Sequence, residues 1–289
     1  MAEIISVKNL SHSYSDGASY KTDAIKNISF SINSGEIIGI VGHTGSGKST
    51  LIQHLNGLIK ADKGHIFIDG QDIWENSKEI AKIRHKVGLV FQYPEYQLFE
   101  ETAYKDIAYG PTNMELSSNE IDSRVRMAAQ MVGITADMLN ESPFDFSGGE
   151  KRRVAIAGVI AMQPKVLIMD EPSAGLDPKG RKLIFELIKS YRVKTGSTVI
   201  VVSHNMDDIV ACADRIMVMN RGELVMFDTP QNVFYDSSVL ASLSLDFPSA
   251  ARIAEKLRNK GVDLPKGILT MQQLVNCISS INKEVQNNA

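Results

Sequence analysis

Cysteine is nearly absent: Cys212 and Cys277 are the only two in 289 residues. Two thiols so far apart supply neither a disulfide framework nor a structural zinc site. Their apolar neighbours predict buried thiols in a reducing compartment. Long apolar runs are missing as well. "VAIAGVIAM" is about half of the roughly 20 residues that span a bilayer, so the chain is not expected to cross a membrane, although it can work against one. The opening "MAEIISVKNL" lacks the basic-then-apolar pattern of a secretory leader, and none is expected. There is no basic excess either. Lys and Arg number 31 against 34 Asp and Glu, a net charge of −3. That argues against a general nucleic-acid binder, whose affinity rests on neutralising backbone phosphates. Lys151-Arg152-Arg153 is the local exception, read as a solvated helix face. Internal repeats and low-complexity tracts are absent.

What remains is an ordinary globular composition, 43% hydrophobic and 22% charged, long enough for one large domain with an appendage. Residues 3–10 and 25–32 alternate apolar with polar, the period of half-buried antiparallel strands. "SDGASYKTD" between them has turn composition and is expected to loop out. "EIIGIV" (36–41), "VGLVFQ" (87–92), "KVLIMD" (165–170) and "STVIVVSH" (197–204) are continuously apolar and rich in β-branched residues, as in strands buried on both faces. "GHIFID" (64–69) reads as a further strand and 215–228 as a hairpin turning at Asn220, Arg221 and Gly222. Residues 94 to about 162 repeat at helical spacing, as do 179–194 and the segment after Pro248. A strand, a helix and a strand over 165–204 predict a parallel crossover.

"EIIGIV" runs straight into Gly42-His43-Thr44-Gly45-Ser46-Gly47-Lys48-Ser49-Thr50, and a helical pattern follows. Strand, glycine loop and helix are the context of a P-loop. Its backbone N–H groups face nucleotide phosphates, Lys48 brings a positive charge to them, and the Ser49 hydroxyl is placed for Mg²⁺. Far along the chain, Asp170 and Glu171 emerge at the end of a buried strand, Asp170 suited to hold Mg²⁺ and Glu171 to polarise a water. His204 and Gln92 close two more apolar strands. Ligands of open parallel sheets bind at such carboxyl ends, so these groups are expected to converge.

A second glycine-rich turn, Ser147-Gly148-Gly149-Glu150, opens another helix. Ser147 and Glu150 have the spacing of a capping box. The cap does not explain two glycines in a first turn, each about 1 kcal/mol worse than alanine there. A phosphate approaching the bared N–H groups would explain them. The expected helical segment carries this turn away from the sheet edge, so the phosphate it awaits belongs to a nucleotide on another subunit.

The ordered set of P-loop, Gln92, "FSGGE", "VLIMDEP", "SAGLDP" and His204 resembles the ATP-binding-cassette (ABC) ATPases over residues 1 to about 245. The resemblance implies an α/β fold of the P-loop NTPase class. Its parts are a mainly parallel core sheet, an N-terminal antiparallel β subdomain, a helical subdomain at about 94–163 and a C-terminal helical appendix. The cassette then spans 1–245, and 246–289 resembles the family's C-terminal dimerisation helices. It further implies ATP and Mg²⁺ as ligands, with Ser49, Gln92 and Asp170 toward the metal and Lys48, Glu171 and His204 in catalysis. Tyr14 matches the adenine-stacking aromatic, Ser147 to Glu150 the signature turn, and Ala174, Gly175, Leu176 and Asp177 the D-loop. Phe146 and Glu150 stand where the family usually has Leu and Gln, and Glu150 bears on contact with the nucleotide ribose.

"FQYPEYQLFEET" (91–102) is similar to the segment that receives membrane coupling helices in energy-coupling-factor importers. "GHTGSGKST", "SPFDFSGGEKRRVAIAG" and "DEPSAGLDP" are most similar to the second ATPase subunit of those vitamin or metal importers. Tyr93, Pro94, Glu95, Tyr96, Gln97, Leu98 and Phe99 would then form the coupling interface. The partners implied are a second ATPase, a paralogue forming a heterodimer, a transmembrane coupling subunit and, indirectly, a membrane substrate-capture subunit, with no nucleic acid. The implied location is peripheral, at the cytoplasmic face of the cell membrane. An alternative remains: a soluble cassette ATPase acting on nucleic acid or ribosomes. The chain lacks the coiled-coil insertion of the first kind and the second fused cassette of the other. Glu171 and the signature turn argue against a P-loop kinase.

Overall fold

The structure is a computed structural model that describes residues 2–16, 20–235, 243 and 245–287. The apolar stretches form the strands of a six-stranded sheet. They are β3 (Ile37–Val41), β6 (Val87–Val90), β7 (Val166–Asp170), β8 (Thr198–Val202), β9 (Arg215–Asn220) and β10 (Glu223–Asp228). Their order is β10-β9-β3-β8-β7-β6, parallel except for the β9–β10 hairpin. Successive residues of a strand face opposite sides, and both sides are covered here. Ile37, Val41, Leu167, Met169, Val199 and Val201 enter one core, while Ile38, Ile40, Val166, Ile168, Ile200 and Val202 enter the other.

The first core packs under α3 (Ala103–Asn113), α4 (Ser118–Val132), α5 (Gly148–Ala161) and α6 (Pro178–Thr195). The second includes α1 (Lys48–Leu55), α2 (Ile80–Lys86) and a separate antiparallel sheet, ordered β2-β1-β4-β5. That sheet holds β1 (Glu3–Asp16), β2 (Tyr20–Asn33), β4 (Lys63–Ile68) and β5 (Gln71–Asp72). The β1–β2 hairpin corrects the loop expected at "SDGASYKTD". Tyr14 pairs with Thr22, Ser15 with Lys21 and Asp16 with Tyr20, so most of that segment is ladder, while residues 17–19 lie outside the described residues. Register shifts between Val7 and Ser13 bend β1. Bulges increase local twist, and pairing resumes beyond them despite polar composition.

After α7 (Met206–Cys212) and α8 (Pro230–Val233), the chain ends in α9 (Ser249–Arg258) and α10 (Met271–Asn287). Ala250, Ala254, Leu264, Ile268 and Leu274 form a small core of their own. Ser249 ties this segment to the main body, its N–H and Oγ–H donating to the Asp207 carboxylate at 2.7 and 2.6 Å. Among the described residues no helix is long and apolar enough to cross a membrane. The cysteines are half-buried rather than buried. Cys212 donates to the Asp208 carbonyl at 3.3 Å, and burial pushes its thiol up to about 12.

Candidate nucleotide site

At the carboxyl end of β3 a cleft of about 830 Å³ opens between the parallel sheet and the β1–β2 hairpin. Its floor is the loop from Gly42 to Gly47 with the first turn of α1. The loop is fixed by close packing. Gly47 has φ 101°, and a Cβ there would lie 2.5 Å from the Ala24 carbonyl oxygen; one on Gly42 would overlap the Met219 carbonyl. Glycine is required at both positions for steric reasons. His43 Nε2 lies 2.9 Å from Asn220 Oδ1, and Ser46 is fully buried with its hydroxyl unpartnered. Lys48 curls over the loop and donates to the carbonyls of Gly42 and His43 at 2.7 and 3.0 Å. Burial lowers its pKa, while Glu171 and Asp170 pull in the opposite direction.

The strand ends supply the acids. Asp170 closes β7, with Oδ2 3.5 Å from the Ser49 hydroxyl. Burial, and then the charge of Glu171, push its carboxyl up to about 6, against the pull of Lys48 and Ser49. An acid raised in this way gains from an arriving cation. Ser49, Asp170 and Gln92 line the same cleft. A hydroxyl, a carboxylate and an amide oxygen make a hard donor set that suits Mg²⁺. Glu171 follows at φ 48°, a left-handed conformation rare for a side-chain-bearing residue. Such strain costs about 1–3 kcal/mol and concentrates at functional sites. Its N–H donates to the Val202 carbonyl of β8 at 2.9 Å, tying the two strand ends together. The exposed imidazole of His204 brings Nδ1 within 2.8 Å of Glu171 Oε2, off the line of a hydrogen bond.

Tyr14 forms the far wall. The residue is 44% exposed, its ring edge-packed on His12 at 4.8 Å and its hydroxyl 3.4 Å from Thr50 Oγ1. The structure thus gathers Tyr14, the P-loop, Gln92, Asp170, Glu171 and His204 around one space. Thr22, Asp23 and Ala24 of β2 complete the lining. Sequence reading missed them because their composition resembles a turn.

The second glycine turn is not part of this lining, and neither is the segment from Ala174 to Asp177. Ser147 caps α5 with a complete capping box. A Cβ on Gly148 would meet nothing within 4 Å, and one on Gly149 only Arg153 Nη1 at 3.9 Å. Neither glycine has positive φ. Nothing inside the chain demands them. Asp177 caps α6, accepting from Gly180 N–H at 2.7 Å.

The basic cluster of α5 is not wholly a solvated face. Arg152 is 4% exposed and forks onto Glu95, Nε to Oε2 at 2.9 Å and Nη2 to Oε1 at 2.8 Å. Its remaining nitrogen donates to the Ala174 carbonyl at 2.7 Å. Bidentate geometry makes such a pair tenable away from water. Glu95 sits in a single 3-10 turn, Pro94–Gln97. Of the seven residues expected to form an interface, Pro94 and Leu98 are instead buried within the chain, and Glu95 is engaged by Arg152. Tyr93, Tyr96, Gln97 and Phe99 are exposed.

The ABC transporter family profile matches residues 25–174. "Energy-coupling factor transporter ATP-binding protein EcfA2" of Caldanaerobacter subterraneus subsp. tengcongensis is 52% identical over 93% of this chain and 94% of its own length. The protein of the same name from Clostridioides difficile is 50% identical over the same shares. Among solved structures, cbiO1 of Clostridium perfringens, described as part of the ABC transporter complex cbiONQ, superimposes with a TM-score of 0.75. It is 38% identical over 89% of this chain and all of that one. A dimeric post-hydrolysis ATP-binding cassette bound to ADP and Pi, MJ0796, gives 0.70 at 30% identity, covering 78% and 98%. The chain belongs to the ABC transporter family, among its energy-coupling factor ATPases.

Proposed function

We propose that this chain is the ATP-hydrolysing motor of an energy-coupling-factor importer, peripheral to the cytoplasmic face of the cell membrane. It drives uptake of vitamins or related micronutrients through a transmembrane coupling subunit and a separate substrate-capture subunit. Its partner ATPase is a paralogue, the two forming a heterodimer. Residues 1–245 are the cassette, with its helical subdomain at about 94–163, and 246–289 add a dimerisation segment. The exposed Ile253, Met271 and Val275 of α9 and α10 support that last assignment.

In this reading the adenine stacks on Tyr14 and the phosphates lie along Gly42 to Thr50. Lys48 exchanges its two loop carbonyls, now held at 2.7 and 3.0 Å, for phosphate oxygens. Ser49, Gln92 and Asp170 would hold Mg²⁺, which when bound neutralises phosphate charge. Glu171 accepts the proton of the attacking water, and His204 beside it holds the terminal phosphate in register. Ser147 to Glu150 close on the neighbour's nucleotide, with Ala174 to Asp177 between the two sites. Tyr93, Tyr96, Gln97 and Phe99 carry the motion to the coupling subunit.

One observation carries the reading. The cleft assembles every group one ATP needs except a second anion turn, and the chain holds such a turn elsewhere with glycines that its own packing does not require. Glu171→Gln tests it. Hydrolysis should fall by about 10²- to 10⁴-fold, as for loss of a general base, while ATP still binds and locks the ATPase pair together. Normal steady-state hydrolysis, or subunits that stay apart at saturating ATP, would overturn the proposal.

A further inference from the structure

Glu150 occupies the place where the family usually carries glutamine, and its carboxylate takes both of the polar hydrogens Ser147 has to give. The Ser147 N–H donates to Oε2 at 2.9 Å, and the Ser147 hydroxyl donates to the same oxygen at 2.6 Å. A serine hydroxyl has one proton to donate, and here it is committed inside the chain. In return the Ser147 oxygen accepts the Glu150 N–H at 3.4 Å. The other carboxylate oxygen faces Arg153 Nη2 at 3.9 Å. A backbone N–H and a hydroxyl at the positive end of a helix are the donors that a terminal phosphate would use. The hydrogen bonds from Ser147 hold the Glu150 carboxyl below the usual range, so it is an anion at neutral pH. The turn that awaits an anion already contains one.

We infer that Glu150 is a latch: its carboxylate is the resident anion of the signature turn, and the neighbour's nucleotide must displace it from Ser147 before the two ATPases can close. The inference rests on the proposed reading of this turn as half of the neighbour's site. Closure at this site is then an exchange of one anion for another rather than a simple gain of hydrogen bonds. Two like charges a few ångströms apart also repel, and more strongly as water leaves the interface. The open space in front of Gly148 and Gly149 gives the phosphate its approach, but Ser147 is released only when the carboxylate swings away. Glu150 is therefore a positioning residue that sets how much ATP is needed for closure.

Glu150→Gln separates this role from capping. Glutamine keeps the capping-box hydrogen bonds but carries no charge. A purely structural Glu150 therefore predicts no change, whereas a resident anion predicts easier displacement by the incoming phosphate. The experiment uses the complete ATPase pair with Glu171→Gln in this chain, and reads closure by light scattering as ATP is titrated. The latch predicts that Glu150→Gln lowers the half-saturating ATP concentration about tenfold at low salt. The gap should narrow at high salt, where exposed charges are screened, and the thermal midpoint should stay put. A half-saturating concentration that is unchanged or raised overturns the latch. Ser147→Arg distinguishes the underlying reading. If it abolishes closure while Glu150→Gln has no effect, only the latch falls. If Ser147→Arg closes as the parent does, the signature assignment falls and the latch with it.

Discussion

In the P-loop the chain itself demands glycine: Gly47 is pressed against the Ala24 carbonyl at φ 101°, and Gly42 against that of Met219. In the signature turn glycine is optional as far as this chain is concerned, since Gly148 and Gly149 look onto open space in ordinary helical conformation. The serines differ in the same sense. Ser46 is fully buried with an unpartnered hydroxyl, whereas Ser147 is exposed with its hydroxyl proton already engaged. One cradle has its glycines fixed by packing within its own polypeptide. The other has glycines that packing within the chain does not require, which the proposed function assigns to a second molecule. Glycine-rich turns of similar appearance can thus be sorted by asking what a methyl group would strike.

The sharpest way to break that contrast is to add the methyl at each turn. Gly47→Ala meets both overlap and left-handed strain, and stability should fall by roughly 2–4 kcal/mol. Calorimetry should show the lower midpoint, and titration calorimetry the loss of ATP binding. Gly149→Ala should leave the midpoint unchanged or raise it slightly, since alanine is about 0.8–1 kcal/mol better than glycine within a helix. On the proposed function ATP-driven pairing should nonetheless be lost, because a neighbour's phosphate docking on this turn would meet the new methyl. A Gly149→Ala chain that pairs normally would erase the distinction between the two turns.

What could be read from the sequence follows the same division. The P-loop, Asp170, Glu171 and His204 were legible because continuous apolar runs fix parallel strands, and such strands place their carboxyl ends along one edge. The second turn stood out by its excess of glycine over what a cap requires, and the structure gives those glycines no packing role inside the chain. Three things were not legible. Thr22, Asp23 and Ala24 line the cleft because bulges in β1 let pairing continue through a polar segment, and bulges leave no compositional mark. Arg152 looks like a surface charge in the sequence because its partner, Glu95, lies far away along the chain. Pro94 and Leu98 read like the aromatics around them, yet they turn inward. Inward and outward positions in and just after a single 3-10 turn cannot be told apart by periodicity.

That last ambiguity yields a smaller, separable pair of effects on the outward-looking surface. Tyr96 is 85% exposed and Phe99 56%, the latter edge-packed on Tyr109 at 5.0 Å, while Leu98 beside them is buried. Leu98→Ala should lower stability by about 2–5 kcal/mol, as core truncations do. Tyr96→Ala and Phe99→Ala should leave the midpoint and basal hydrolysis alone but weaken association with the membrane coupling subunit. If they act as aromatic hot spots, each costs about 2 kcal/mol of binding. Co-purification with that subunit is the measurement. Normal recovery and normal transport by both variants would remove the interface from these residues.

The smallest effect belongs to Tyr14, the aromatic that the β1–β2 hairpin contributes to the cleft. A base stacked on an aromatic face is worth about 1–3 kcal/mol. Tyr14 is 44% exposed, which leaves surface open to a base, and the lower end of that range is about fivefold in affinity. Tyr14→Ala should therefore raise KM for ATP about fivefold while kcat changes little, because the proposed reacting groups Lys48, Asp170 and Glu171 are left in place. Tyr14→Phe should be close to silent, as the hydroxyl contact with Thr50 is long at 3.4 Å and the edge contact with His12 survives. Stacking is indifferent to base edges, so the preference for ATP over GTP should not move in either variant. A loss confined to kcat would place Tyr14 among the groups that organise the phosphates, and the division of the cleft into a stacking wall and a reacting floor would have to be redrawn.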